Sequence, residues 1–475
     1  MTAPPNVSDL PDRLAEQLTD AGQAHLIRVA GMLGADQRGR FVAELASIDW
    51  RTVGELRDRV LEAAPRPDSS REVSPPEVFP LERTAEQTRH AAQAVAEGEQ
   101  LLAAGRVACL VVAGGQASRL GLHGPKGTVP AGPVSGRSLF EIFALKLRAA
   151  HERYGQPVPF YVMTSPANDA ETRAFISEHD CFGLDPADVF FFTQGVLPAL
   201  DESGRALLAS PGALALAPTG HGGVFSAMRD GGVLDDLLRR KIELVSYFQV
   251  DNPLVLATDP LFLGLHSLAR AGMSSKVVRR SADEKVGVIA IIDGRHGCIE
   301  YSNLPDDLRR ATNEDGSLRY SAGSIAMHVI SVDFAANTVG GSDGLSWTLA
   351  HKRMKVVDEA GNPGEQMAYK AERFVFDALR FSDATVTLEV DRSVEFSPIK
   401  NAEGENSPAT SRADMCALHG RWVAAAGLPL PPAGEDGVAP VEIDPRIAVT
   451  QAEFVAKAPL EPLIVEGGHL YTPAD

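Results

Sequence analysis

Two adjacent glycines, an arginine and a lysine follow one short apolar run. Val107 to Ala113 breaks into GGQASRLGLHGPKGTVPAGPVSGRSLF, which carries Gly114, Gly115, Arg119 and Lys126. Gly114 and Gly115 lack the Cβ that would hold a phosphate or a base edge away from the backbone, and loop N–H groups there donate to anionic oxygens. The two cations supply positive charge where negative charge builds up, so a strand opening onto this loop has what a nucleoside triphosphate site needs. The spacing is neither a Walker A, which ends in GK[ST], nor a dinucleotide GxGxxG. Taken alone, the loop is equally compatible with a Gly-rich turn joining a core strand to the next helix.

From residue 107 to about 392, β-rich runs (VACLVVA, PFYVMT, VFFFTQ, LVSYFQV, KVVRR, KVGVIAII, TVTLEV) alternate with helical stretches such as LFEIFALKLRAAHERY. That alternation predicts an α/β fold with a doubly wound, mixed, mostly parallel sheet of Rossmann-like type, with ligands at the carboxyl ends of its strands. The glycine loop and Asp251 both fall at such ends. Ahead of this domain, Leu14, Leu18, Leu26, Val29, Leu33, Phe41 and Leu45 recur at helical spacing, which predicts two or three amphipathic helices over the first 64 residues. Five prolines between Pro65 and Pro80 rule out a continuing helix and predict a surface linker over 65–82, before a further helix at 84–104. The expected division is a helical region at 1–100, a catalytic domain at 101–395 and a small carboxy-terminal domain at 396–475.

The net charge of -18, with no basic arm or stripe to offset it, argues against a nucleic-acid partner. An anionic ligand must therefore be captured by local positive charge. Cys109, Cys181, Cys298 and Cys416 show no CxxC pair, which suits free thiols in a reducing compartment. No cationic-then-apolar leader opens the chain, and no apolar run reaches the roughly 18 residues that cross a bilayer, so a cytoplasmic protein without a membrane partner is expected. No HExxH or paired-Cys metal motif occurs.

The motif order then becomes informative. AGQAHLIR (21–28), VVAGGQASRLG and PKG (125–127) are followed by YVMTS (161–165), CFGLDPADVFFFTQGVLPALD (181–201), APTGHGG (217–223) and YFQVDNPLV (247–255). KVGVIA (285–290), IEYS (299–302), RFVFDAL (373–379) and EFSPIKNAEGENSPATSR (395–412) complete the series. Over about residues 12 to 415 the chain resembles the eukaryotic-type UDP-sugar pyrophosphorylases, closest among them to the UDP-N-acetylglucosamine pyrophosphorylases. The resemblance implies a nucleotidyltransferase fold and a Mg²⁺-assisted uridylyltransferase that makes a UDP-sugar and pyrophosphate from UTP and a sugar 1-phosphate. A phosphate monoester dianion is already a nucleophile, so in-line attack on the α-phosphorus demands alignment and charge neutralisation rather than a general base.

Residue by residue, the resemblance places Lys126 on the UTP phosphates, with Arg119 bracing them and Lys400 on the sugar-phosphate side. Ala113, Gly114, Gly115, Gln194, Gly220, Asp251 and Lys370 fall to the nucleotide, with Asp251 also on the metal; His221, Gly222, Glu300 and Ser324 fall to the sugar. An amide such as Gln194 presents both donor and acceptor to a uracil edge. Plainer roles compete for several of them. Lys126 also reads as a solvated turn lysine, Asp251 as a turn cap before Pro253, Lys400 as a surface lysine and His221 as a turn residue without a ligand.

Sugar identity is the point of departure from the family pattern. His221 stands where members specific for N-acetylhexosamine carry Asn, and GHG is what UDP-glucose and broad-specificity members show. GSIAMH (323–328) replaces the asparagines of GNIANH with Ser324 and Met327. N-acetylglucosamine 1-phosphate is the expected sugar, with glucose 1-phosphate or broad specificity as the alternative. A glycosyltransferase is disfavoured because such enzymes cluster acidic metal ligands where VDN offers one. A UDP-sugar-binding protein without turnover is disfavoured by the presence of Lys126, Asp251 and Lys400.

Overall fold

The computed structural model describes residues 10–62, 72–339, 345–434 and 437–473. The chain divides into two compact units, each drawn from separate stretches of sequence.

The first unit takes Met1–Ser70, Gln194–Val224 and Leu345–Asp377. Among the described residues its amino-terminal part holds four helices rather than two or three: α1 (Asp12–Asp20), α2 (Ala24–Met32), α3 (Ala35–Ala46) and α4 (Trp50–Leu61). Apolar spacing runs on across very short connections, only Leu33 and Gly34 separating α2 from α3, so periodicity alone merges neighbouring helices. Asp49 ends one such connection by accepting from the N–H groups of Arg51 and Thr52 at the start of α4. Leu18, Leu26, Phe41 and Leu45 pack with Leu200, Leu208 and Leu214 in one core. A hairpin of Thr348–Val357 against Pro363–Glu372 completes the unit. The AGQAHLIR block does its work here. The fully buried Gln23 accepts from Ala206 N–H at 2.8 Å and donates to Gly204 O at 2.9 Å, and His25 meets Ala206 O at 2.9 Å.

The second unit takes Arg71–Thr193, Phe225–Gly344 and Ala378–Asp475. Its ten-stranded sheet comprises β1 (Val73–Ser74), β2 (Val107–Val112), β3 (Phe160–Thr164), β4 (Val189–Thr193), β5 (Leu244–Gln249), β6 (Met273–Arg279), β7 (Val288–Ile292), β8 (Arg295–Ile299), β9 (Ala322–Ser331) and β10 (Thr387–Glu389). The path runs β1-β7-β9-β5-β2-β3-β4, with β6 paired to β9 and β10, and β8 to β7. Strands β5, β2, β3 and β4 are mutually parallel, and β9 adds antiparallel to β5, so the sheet is mixed with a parallel centre. Residues 65–71, the first part of the expected linker, lie outside the described residues. The rest of it is pinned rather than free: β1 pairs with β7, and Phe79 exchanges backbone hydrogen bonds with Thr387 and Glu389.

Helix α5 (Ala85–Ala103) starts with the capping box of Thr84 and Gln87. It lies so close to α7 (Pro260–Leu268), which follows α6 (Leu139–Tyr154), that a Cβ on Gly98 would fall 2.0 Å from Pro260 O and one on Gly264 1.7 Å from Ala94 O. After the sheet come α8 (Pro408–Ala425) and a three-stranded sheet of Val441–Ile443, Leu463–Val465 and Gly468–Tyr471. Met415, Trp422, Val441, Phe454 and Tyr471 share one core with Val107, Phe143 and Phe248.

Two buried histidines give this unit a pH dependence. His266 on α7 sits between the hydroxyls of Ser274 and Ser331 at 2.8 and 2.9 Å, and His419 on α8 accepts from Ile443 N–H at 3.2 Å. Burial pushes both imidazoles down from 6.5 to about 3. The folded state therefore keeps them neutral while the unfolded chain protonates below its ordinary value, so stability is present above pH 6.5 and lost as pH falls toward 3. Each contributes a slope of about 1.4 kcal/mol per pH unit. Thermal melts should show Tm falling steadily between pH 6.5 and 5, and a Tm constant over that interval would exclude the neutral buried state.

Candidate active site

The register of the parallel centre places the chemistry. Val112 pairs with Gln249 and Met163 with Val112, so the glycine loop after β2, the Asp251 turn after β5 and the Ser165–Asn168 turn after β3 leave the same sheet edge side by side. Val250 N–H donates to Val112 O at 3.2 Å and carries that alignment one residue past the strands.

The glycine loop is held through its carbonyls. Asn168, almost fully buried, donates to Ala113 O at 2.8 Å and to Gly115 O at 3.3 Å, and the Ser165 hydroxyl donates to Gly114 O at 2.9 Å. Lys126 N–H donates to Gly115 O, and Ala117 N–H to Gly124 O, which folds the 116–125 stretch back on itself. The N–H groups of Gly114, Gly115 and Gln116 donate to no group among the described residues. A Cβ on Gly115 would meet nothing within 4 Å, so the fold itself does not require glycine there. Gly127 differs, because its Cβ would lie 2.1 Å from the Phe140 ring. That close approach seats the lysine-bearing turn on the first turn of α6.

Arg119, Lys126, Asp251 and Lys400 line one cleft of about 960 Å³, together with Gln116, Lys285 and Arg392. Lys126 Nζ lies 3.4 Å from Asp251 Oδ2, with both side chains mostly covered. This is a long contact that either partner can give up for a ligand. Ile399 N–H donates to the Asp251 carbonyl at 2.8 Å, and Asn252 bridges Glu395 O and Ser397 N–H at 2.7 and 3.1 Å, which ties the segment leading to Lys400 to the Asp251 turn. Lys400 Nζ stands 6.0 Å from the Phe396 ring centroid. Among the described residues, Arg119, Lys285 and Lys400 form no ion pair, whereas Arg392 is spent on both carboxylate oxygens of Glu284 at 2.7 and 2.9 Å. The cleft therefore offers an anion three cations free of ion pairs and, from the glycine loop, Gln116; Ala113, Gly114 and Gly115 are not among its lining residues.

Glu300 and Ser324 are not among the residues lining this cleft. Ser324 does backbone work at an irregularity of β9, its N–H donating to Gly287 O at 2.8 Å and its hydroxyl accepting from the positive-φ residue Ala326. Gln194, Gly220, His221, Gly222 and Lys370 belong to the other unit. There Gln194 is buried and Lys370 lies on the hairpin opposite Ala350. Gly220 and Gly222 have a packing reason to be glycine: a Cβ on Gly220 would fall 2.5 Å from Arg373 O, and one on Gly222 2.6 Å from Arg373 C. His221 packs against Phe374 and Phe376, and burial pushes its imidazole down to about 4. The neutral ring accepts from Val375 N–H at 3.1 Å through Nδ1.

Asn168, Ser165, Asn252 and Lys285 escaped the sequence reading as site residues. The S-x-x-N spacing at a strand end signals only a local turn, and nothing in it says that the turn serves another loop's carbonyls. Among the described residues no group of three or more His, Cys, Asp or Glu could hold a metal ion. A single mostly covered carboxylate beside a loop with unspent N–H groups fits Mg²⁺, which takes most of its ligands from phosphate and water.

Comparison with known proteins shows what the chain is similar to. The family model described as UTP–glucose-1-phosphate uridylyltransferase matches residues 59–416. The chain is 36% identical over 466 residues to human UDP-N-acetylhexosamine pyrophosphorylase-like protein 1, covering 91% of this chain and 92% of that protein. It is 32% identical to UDP-N-acetylglucosamine diphosphorylase 2 of Arabidopsis thaliana, covering 87% and 85%. The crystal structure of the Trypanosoma brucei uridine diphosphate N-acetylglucosamine pyrophosphorylase, in complex with inhibitor, superposes with a TM-score of 0.81 at 24% identity, over 97% of this chain and 98% of that one.

Proposed function

Because the chain belongs to the UTP–glucose-1-phosphate uridylyltransferase family, we propose that the Lys126–Asp251 cleft is where it joins UTP to N-acetylglucosamine 1-phosphate. The enzyme is a nucleotidyltransferase that makes a UDP-sugar and pyrophosphate from UTP and a sugar 1-phosphate. An oxygen of the sugar phosphate attacks the α-phosphorus in line, one new P–O bond forms, and the α–β bridging bond breaks to release pyrophosphate. In this reading the N–H groups of Gly114, Gly115 and Gln116 receive phosphate oxygens, and Arg119 and Lys126 neutralise the triphosphate. Lys400 draws in the sugar phosphate. Asp251 would hold Mg²⁺, which supplies charge neutralisation on the phosphate oxygens when bound. The nucleotide role of Gln194, Gly220 and Lys370 and the sugar role of His221, Gly222, Glu300 and Ser324 rest on the family resemblance alone. The observation that carries the reading is the convergence of Arg119, Lys126, Lys400 and Asp251 on one cleft.

The acetylated sugar is favoured by the names of the relatives, two of which are N-acetylhexosamine or N-acetylglucosamine enzymes in name. Pyrophosphate release measured with UTP, Mg²⁺ and a panel of sugar 1-phosphates tests both levels. N-acetylglucosamine 1-phosphate should exceed glucose 1-phosphate in kcat/KM by about 10⁴-fold, the lower end of the discrimination expected of a site that hydrogen-bonds a substrate group the competitor lacks. The opposite order overturns the sugar assignment, and no release with any sugar phosphate overturns the reading of the cleft.

A further inference from the structure

Lys146 lies in the middle of α6, partly buried, and its hydrogen bonds go to two backbone carbonyls, Pro253 O at 2.6 Å and Val255 O at 2.7 Å. The nearby acids do not balance it. Asp259 and Glu395 both bind Lys276 Nζ, at 2.7 and 2.6 Å. Burial pushes the Lys146 amine down to about 7, with Glu395 opposing that shift and Lys276 adding to it; His419, Arg137 and Glu442 face the same cavity. An ammonium bonded only to carbonyls and largely withdrawn from water is costly, and a neutral amide donor would bond a carbonyl at lower cost.

What the charge secures is the turn that carries Asp251. Pro253 and Val255 lie two and four residues after Asp251, and earlier on the same helix Phe140 receives Gly127, the neighbour of Lys126. One rigid helix thus grips both halves of the Lys126–Asp251 pair. We propose that Lys146 is a positioning residue for uridylyl transfer, fixing Asp251 opposite Lys126 by holding the carbonyls of the Asp251 turn. This rests on the reading of Lys126 and Asp251 as the residues that meet the triphosphate and its metal ion.

The test compares Lys146→Met, Lys146→Gln and Lys146→Arg with wild-type enzyme and with Asp251→Asn, reading kcat, the KM for each substrate, the Mg²⁺ concentration giving half-maximal rate, and Tm. Misplacing a reacting group by about 1 Å costs about 10²-fold. Lys146→Met should therefore lower kcat by about that factor and raise the Mg²⁺ requirement, leaving the KM for the sugar phosphate within about threefold. Lys146→Arg, which keeps a charged donor, should recover most of kcat. If Lys146→Met does not fold, Lys146→Gln against Lys146→Arg decides, because the two differ in charge and share donors. A lowered Tm with kcat and Mg²⁺ requirement unchanged reduces Lys146 to a structural residue and overturns the proposal, as does an arginine variant no better than the glutamine one. Should Asp251→Asn itself retain full kcat, the underlying reading of Asp251 fails instead.

Discussion

Replacing Lys126 with alanine should lower kcat by about 10³-fold while leaving Tm nearly unchanged, because a cation aimed at developing charge in a water-poor site contributes far more to the transition state than to the fold. The structure separates the two effects. The Lys126 side chain meets one partner, Asp251, at 3.4 Å, whereas the turn around it is fixed by backbone groups and by Gly127 against Phe140. Deleting the side chain leaves those contacts intact. The lost ion pair is long and partly screened, and such a pair contributes on the order of 1 kcal/mol or less. The KM for UTP should rise less than kcat falls, since the loop N–H groups, Arg119 and Lys400 still attract the triphosphate in its ground state. Initial-rate measurements of pyrophosphate release with matched thermal melts check this. A variant within tenfold of wild-type kcat removes Lys126 from the chemistry and makes it a turn lysine that happens to face the cleft.

The glycine loop and Asp251 were legible as strand-end features because they follow the apolar runs VACLVV and LVSYFQ, whereas the roles given to Lys126 and Asp251 came from the family resemblance. Parallel pairing then brings strand ends together whatever the intervening chain does. The mixed α/β fold follows from the same runs. Residues whose importance comes from non-local contact were hidden. Asn168 looks like any turn asparagine until it is seen donating to Ala113 and Gly115, more than fifty residues earlier. Lys146 looks like the polar face of an amphipathic helix until its amine is found under the Asp251 turn. The four amino-terminal helices were blurred into fewer because their apolar stripes continue over minimal connections. Glycine was the most ambiguous signal of all. Gly115 has open space where a Cβ would go, Gly127 and Gly220 do not, and no sequence pattern separates a glycine kept for a ligand from one kept for packing.

Asp251→Asn should be almost isosteric and should still cost about 10²- to 10³-fold in kcat, with the loss concentrated in the response to Mg²⁺. The main-chain part of this residue is engaged with Ile399 N–H, a bond that asparagine preserves, so the segment leading to Lys400 keeps its place and Tm should move little. The side chain is another matter. An amide oxygen carries no full charge, so it binds a hard divalent cation far more weakly than a carboxylate does. The sign of the metal-free experiment is the sharper check. Without Mg²⁺ the wild-type carboxylate repels a triphosphate and occupies Lys126, whereas the variant does neither. Asp251→Asn should therefore bind UTP at least as tightly as wild type in metal-free buffer, and added Mg²⁺ should strengthen wild-type binding while doing little for the variant. Calorimetric titration of UTP into both proteins, with and without Mg²⁺, reads this directly. Parallel Mg²⁺ dependences in the two proteins would move the metal ion away from Asp251 and leave that carboxylate as the resting counter-charge of Lys126.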